Sequence, residues 1–252
     1  MTDPVVRLPN GYVLHFHEVI DSTNEEAKRL GDKGAPGGAL IWARRQLAGR
    51  GRRGREWKSP VGNLFLSLLL RPDGPLQETA RLTFLAALAM AEAIDMVTAR
   101  QVVAQCKWPN DLMVDGRKLC GILLESASVS GRDTDYLVIG TGVNIAFHPD
   151  DSERPSISLA SLGAMIRTED LISAYVSRMD DLLDQWHIHG FDAVRESWLA
   201  RAYGFGDPIV ARLSERTLAG TFVGLDHGGS LILKDQEGIE HIIGAGEVFF
   251  KS

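Results

Sequence analysis

The chain has 252 residues, 44% hydrophobic and 24% charged, with a formal net charge of -6 at pH 7. That length suits one large domain, or a domain with a small appendage, and the composition excludes a disordered or fibrous chain. The acidic balance also excludes bulk nucleic-acid binding driven by overall charge.

The opening MTDPVVRLPNG has no basic or apolar signal region, and the runs LFLSLLL and FLAALAMA are far shorter than the ~20 residues of a membrane span. A cytoplasmic protein without membrane contact is expected. HFHEVI reads as a strand. Asp21-Ser22-Thr23-Asn24 then precedes EEAKRLGDKG, where Ser22 and Glu25 form an S-x-x-E capping box, predicting a helix that ends near Gly31 or Gly34. ALIWARRQ reads as a strand running into GRGRRGREW, and NLFLSLLLR as a buried strand after Pro60 and Gly62.

Pro72, Gly74 and Pro75 break the chain before an alanine-rich core helix predicted from about Glu78 to Ala99. A strand is expected around Gln101 to Lys107. Asp115-Gly116 then marks a two-residue hairpin turn between LMV and RKLCGILLES. DYLVIGTGVNIAF supplies another strand, HPDDSERPS a polar loop, and Thr168 to about His187 and Phe191 to Tyr203 two amphipathic helices. After Gly204 short alternating runs, PIVARL, LAGTFVGLD, SLILKD and HIIGAGEVFF, suggest a small barrel. The expected organisation is an α+β domain over 1–203 and a small β domain over 204–252.

The segment Gly49 to Arg55 packs four arginines and three glycines into seven residues. Gly49, Gly51 and Gly54 satisfy G-x-G-x-x-G, yet proline and glycine follow where a dinucleotide fold needs a helix, so that reading is rejected. Glycines free the backbone to turn its N–H groups toward an anion, and arginine forks add charge-assisted bonds of roughly 1.5–3 kcal/mol each. Mutual repulsion predicts a loop that stays loose until an anion arrives. A solvated surface loop is the alternative.

Lys118 is the second unusual residue, on a strand whose two faces are both apolar. Plain alternation groups it with Cys120 and Ile122 and sets Leu119, Gly121 and Leu123 on the other face. Such a lysine either snorkels to water or meets a buried anion. Gly121 beside it lets a ligand approach the backbone. Asn110 and Asp111 suit a plain turn, Ser22 and Thr23 suit helix caps, and Gln46 alone is uninformative. Cys106 and Cys120 cannot complete a four-ligand zinc site and read as reduced, buried thiols. With no sequence-local cue for a protein nucleophile, the chemistry is one of positioning and charge neutralisation.

In combination and in this order, DSTNEEA, WARRQLAGRGRRGREWKSP, KWPNDLMVDGRKLCGILLE and GTGVNI resemble the biotin protein ligase family, and HIIGAGEVFF resembles its small C-terminal SH3-like barrel. The resemblance covers most of the chain. It implies a mixed sheet with flanking helices of the class II aminoacyl-tRNA synthetase and biotin ligase kind, followed by the SH3-like β-barrel. It also implies an activity: biotin and ATP, with Mg²⁺ carried on the ATP, give biotinyl-5′-AMP and pyrophosphate, and biotin passes to one lysine of the biotin carboxyl carrier protein of acetyl-CoA carboxylase.

Carried onto this chain, the resemblance places Ser22, Thr23, Asn24 and Gln46 on biotin, and Arg50, Gly51 and Arg52 over biotin and the adenylate phosphate. Lys118 meets the biotin carboxylate and α-phosphate, and Gly121 shapes the biotin pocket. Asp111 and Asn144 occupy matching motif positions, and Lys118, Arg52 and Asp111 are the catalytic candidates. The motifs begin by Asp21 and leave no room for an N-terminal helix-turn-helix domain, so no DNA operator binding is expected. A lipoate or octanoate attachment enzyme, a catalytically silent biotin-binding regulator and a nucleic-acid module using Arg50 to Arg55 are the rivals. Edge strands leave a homodimer open.

Overall fold

A computed structural model of the chain describes residues 4–73, 75–127, 135–150, 155–213 and 216–250; Gly74 and residues 151–154 of the expected polar loop lie outside them. Seven strands form the first sheet: β1 (Val13–Ile20), β2 (Ala39–Gln46), β3 (Leu64–Leu70), β4 (Gln105–Lys107), β5 (Asp111–Val114), β6 (Arg117–Ala127) and β7 (Tyr136–Val143). Their order is β1-β2-β3-β7-β6-β5-β4, with β1 and β2 parallel and every other pairing antiparallel.

Period-two alternation gives this sheet two different faces. Leu40, Trp42, Leu66, Leu68, Ile122 and Ile139 point to one side, where they meet the helices α3 (Leu82–Val97), α4 (Thr168–His189) and α5 (Phe191–Ala200). On the opposite side Ile41, Leu69 and Val138 pack on Ala27 of α1 (Thr23–Asp32), and beyond α1 that face carries the glycines Gly121, Gly140 and Gly142 beside Phe65, Asp111 and Lys118, which line a cleft. One face is thus a core and the other a half-covered floor.

Three sequence expectations shift. The helix expected from Glu78 is split into a turn of helix, α2 (Leu76–Thr79), and α3, because the chain turns at Ala80 and Arg81 so that Arg81 lies 5.5 Å over the Phe191 ring. The strand expected from Gln101 starts at Gln105, since Ala99 and Arg100 take left-handed backbone angles (φ 48 and 61) to reverse the chain after α3. α5 stops at Ala200 because residues 201–203 pair with β4 instead: Cys106 N–H donates to the Arg201 carbonyl at 2.8 Å and Tyr203 N–H to the Cys106 carbonyl at 2.9 Å.

The C-terminal sheet holds β8 (Pro208–Arg212), β9 (Thr217–Leu225), β10 (Leu231–Lys234), β11 (Glu240–Ile243) and β12 (Glu247–Phe250), all antiparallel in the order β11-β10-β9-β8-β12. It is SH3-like, and the run HIIGAGEVFF divides at Gly244 to Gly246 to place β11 and β12 at its two ends. Ile209, Phe222, Leu231 and Leu233 fill its interior. The sheet is fastened to the first at Gly229, whose carbonyl accepts the Trp108 indole N–H at 3.0 Å and whose missing side chain makes room for the Phe84 ring. Among the described residues no helix is long and apolar enough to cross a membrane.

Candidate active site

The start of α1 is built from polar groups that bind one another. The expected capping box does not form: Ser22 is extended, makes no side-chain cap, and Glu25 instead takes a hydrogen bond from Arg50 and one from Lys28 at 3.1 Å. An arginine from the glycine-rich loop outcompetes a backbone amide for this carboxylate, holding it below its usual range. The Ser22 hydroxyl is thereby left to the cleft. Gln46 Oε1 accepts the Thr23 N–H at 2.8 Å and lies 3.1 Å from Thr23 Oγ1, while Gln46 Nε2 donates to Ser59. Ser67 Oγ sits 2.5 Å from Asn24 Oδ1, and Asn24 Nδ2 donates to Glu125 at 2.7 Å. Ser22, Thr23, Asn24 and Ser67 are all buried, so this end of the cleft is neutral, polar and fixed.

The floor beside it is glycine. Gly121 of β6 pairs with Gly142 of β7, and a methyl group at Gly142 would come within 2.6 Å of the Trp57 indole. A methyl at Gly140 would collide with the Asn24 amide. Bare backbone is what allows both a helix start and an aromatic ring to lie on the sheet.

Lys118 departs from plain alternation. The β5–β6 register shifts between Leu112 and Met113, so Leu112 faces Cys120 while Met113 faces Lys118, and Leu119 is the extra residue of a bulge. The bulge reverses the parity: Cys120 goes into the core, and Lys118 joins Gly121, with its Nζ 3.1 Å from where a Gly121 side chain would begin. Its Nζ is 2.7 Å from Asp111 Oδ1 and 5.2 Å from the Trp57 ring centroid. The backbone is clamped as well, Lys118 N–H donating to the Pro155 carbonyl at 2.8 Å and its carbonyl accepting Ile157 N–H at 3.0 Å. Asn144, buried at the end of β7, supports the same clamp by donating from Nδ2 to the Ile157 carbonyl at 3.1 Å.

The arginine loop is a small closed hairpin. Gly51 N–H donates to the Arg55 carbonyl at 2.7 Å, Trp57 N–H to the Gly49 carbonyl at 2.9 Å, and Arg53 takes a left-handed conformation (φ 59). Carboxylates offset the mutual repulsion expected among the exposed arginines. Arg50 pairs with Glu25, and Arg53 and Arg55 both pair with Glu247 on β12. Arg52 differs: it is half-buried, its Nη1 donates to Asn110 Oδ1 at 3.1 Å, and no carboxylate among the described residues pairs with it. Burial pushes its guanidinium below the ordinary value, with Asp111 pulling the other way.

These elements enclose a cleft of about 800 Å³ between the two sheets. Ser22, Thr23, Asn24, Gln46, Arg50, Gly51, Arg52, Asp111, Lys118, Gly121 and Asn144 all line it. Trp57, Lys107 and Glu247 line it too and were missed. Trp57 and Lys107 lie inside the quoted motifs, but nothing local marks a cleft residue there, and Glu247 is 192 residues from the arginine it meets. The cysteines contribute no nucleophile: burial pushes the Cys106 thiol up to about 12 and raises Cys120 likewise. Among the described residues there is also no group of three or more His, Cys, Asp or Glu side chains able to hold a metal ion.

Residues 16–144 match the biotin/lipoate A/B protein ligase family and residues 204–251 the biotin protein ligase C-terminal domain. A biotin–(acetyl-CoA-carboxylase) ligase of Paracoccus denitrificans is 41% identical over 239 residues, 91% of this chain and 97% of that one. The bifunctional ligase/repressor BirA of Escherichia coli is 32% identical, across 93% of this chain and 73% of its own length. Among solved structures, the biotin protein ligase of Aquifex aeolicus in complex with biotin and ATP aligns with a TM-score of 0.80 at 25% identity, covering 94% of this chain and 99% of that one. The Leishmania major enzyme in complex with biotinyl-5-AMP aligns at 0.66 and 26% identity, covering 92% and 98%.

Proposed function

This chain belongs to the biotin/lipoate A/B protein ligase family and is a biotin protein ligase, and we propose that its cleft carries out both steps of biotin attachment. In the first, a biotin carboxylate oxygen attacks the α-phosphorus of ATP, the bond to the bridging oxygen breaks, and pyrophosphate leaves with the electron pair and its Mg²⁺. In the second, a lysine amine of a biotin carboxyl carrier protein attacks the acyl carbon of biotinyl-5′-AMP. AMP leaves, and the amine gives up a proton.

The observation that carries this reading is the polarity of the cleft from end to end. Neutral donors and acceptors at Ser22, Thr23 and Gln46 suit the ring urea of biotin, and the cleft-lining Trp57 ring, seated on the glycine floor, offers an apolar wall to its body. Lys118, paired with Asp111, and Arg52, bonded to the neighbouring Asn110, both line the cleft where a carboxylate and a phosphate must come together. Two cations there offset the charge that crowds around phosphorus in the transition state. Asp111 holds the Lys118 ammonium in place, and Asn144 holds its backbone. The arginine hairpin covers the mixed anhydride and keeps water from it. We take 1–203 as the biotin and ATP domain and 204–252 as the small barrel, whose Glu247 steadies the hairpin.

Pyrophosphate release in the presence of Mg-ATP tests this reading. Biotin should support release and lipoate should not, and Lys118→Ala should abolish the biotin-dependent signal while the protein stays folded. Equal release with both acids would favour lipoate-type attachment.

A further inference from the structure

Register places one row of residues across the cleft face of the first sheet. Phe65 of β3 pairs with Gly142 of β7, Gly142 with Gly121 of β6, Gly121 with Asp111 of β5, and Asp111 with Lys107 of β4. Lys107 ends the row, lines the cleft, and has its ammonium 5.5 Å above the Phe250 ring, at the boundary with the C-terminal sheet. The carboxylate between the two lysines is already engaged, Asp111 Oδ1 lying 2.7 Å from Lys118 Nζ.

Direction gives this row a meaning. The polar end at Thr23 lies over β3, where Ser67 reaches it, and Lys118 stands beside Gly121 on β6, so an acid bound between them points its carboxylate toward β5 and β4. Displacement at phosphorus sets the attacking and leaving oxygens roughly in line. The leaving group therefore extends away from β3, along the row toward Lys107. Two strand spacings, about 10 Å, separate β6 from β4, a span that the outer two phosphates and a lysine side chain bridge.

We propose that Lys107 is a catalytic residue that binds the β- and γ-phosphates of ATP and the departing pyrophosphate. The proposal rests on the adenylating reaction above and adds the site of its leaving group. In the reverse direction a pyrophosphate oxygen attacks the α-phosphorus of biotinyl-5′-AMP, the bond from phosphorus to the biotin carboxylate oxygen breaks, and biotin leaves with the electron pair. That reaction uses Lys107, whereas transfer from the adenylate to a carrier lysine involves no pyrophosphate.

The test measures both reactions from preformed biotinyl-5′-AMP, with pyrophosphate in one arm and a biotin carboxyl carrier domain in the other. For Lys107→Met the KM for pyrophosphate should rise about tenfold or more, as loss of a charge-assisted bond requires, with transfer to the carrier within about twofold of the wild type. Lys107→Arg should recover most of the pyrophosphate affinity, and Lys107→Gln, with its smaller change in polarity, serves if the methionine variant does not fold. A pyrophosphate KM unchanged in a folded variant overturns the proposal, and so does a loss confined to the transfer arm. Failure of the wild type to make any adenylate from biotin sinks the parent reading instead, which separates the two.

Discussion

Arg52→Ala separates function from stability more sharply than any other change in the cleft. The guanidinium is half-buried, its one described side-chain partner is the neutral Asn110 Oδ1 at 3.1 Å, and no carboxylate among the described residues forms an ion pair with it, Asp111 acting on it only at longer range. Removing it deletes one or two charge-assisted bonds to the phosphate, each roughly 1.5–3 kcal/mol. At about 1.4 kcal/mol per tenfold, one such bond corresponds to a loss of roughly ten- to a hundredfold in the rate of adenylate formation. The folded state loses a single hydrogen bond of about 1 kcal/mol and is relieved of a desolvated charge, so net stability should change by less than about 1 kcal/mol. Single-turnover adenylate formation and a thermal scan on the same preparation measure both effects. Arg53→Ala, which removes only an exposed pairing with Glu247, is the control and should leave the rate within a few-fold. A marked fall in Tm for Arg52→Ala with near-normal adenylation would refute the assignment, because it would make Arg52 a structural residue.

Three further outcomes follow from the same geometry. Gly142→Ala should raise the Kd for biotin at least about tenfold while the protein remains folded, since the new methyl must displace the Trp57 indole from 2.6 Å; calorimetric titration with biotin measures it. Asp21 is held down to about 2 by its hydrogen bonds from Arg29, against about 3.9 unfolded. Its stabilising contribution is therefore complete above the unfolded value and is lost as pH falls through the folded one, and Asp21→Asn should flatten the denaturation midpoint against pH between about 4 and 2. Cys106 and Cys120 are fully buried with raised thiol pKa values, so a thiol reagent should titrate neither in the native protein and both in denaturant, with no loss of adenylation in the native sample.

What could be read from the sequence was what local pattern controls. β2 coincides with ALIWARRQ because a buried run bounded by glycines and the arginine segment has one extended solution. The DG hairpin is equally local, with Asp115 and Gly116 both at positive φ (49 and 72). The start of α3 was not legible, because a helix buried on nearly every side has no periodicity to mark its ends. Long-range contacts account for the remaining departures. The Ser22–Glu25 box is a sound local signal that loses to an arginine 25 residues further on. A single bulge residue at Leu119 turns Lys118 from the core side to the cleft side, and alternation cannot foresee it. The candidate site residues were legible as a set only through the resemblance carried by the motifs, since they sit on a helix start, a hairpin loop and several strands, and their partners were not legible. Glu125 on Asn24 and Glu247 on the arginine hairpin come together only when the sheet order is known.

The central claim is that this cleft joins a carboxylate to the α-phosphate of ATP at Lys118. Pyrophosphate release with Mg-ATP, compared for biotin, lipoate and no acid in the wild type and in Lys118→Ala, tests it most directly. The account predicts release that requires biotin and disappears with the lysine, without loss of fold. Biotin-dependent release that persists in a folded Lys118→Ala protein, or no release with either acid in the wild type, would contradict it.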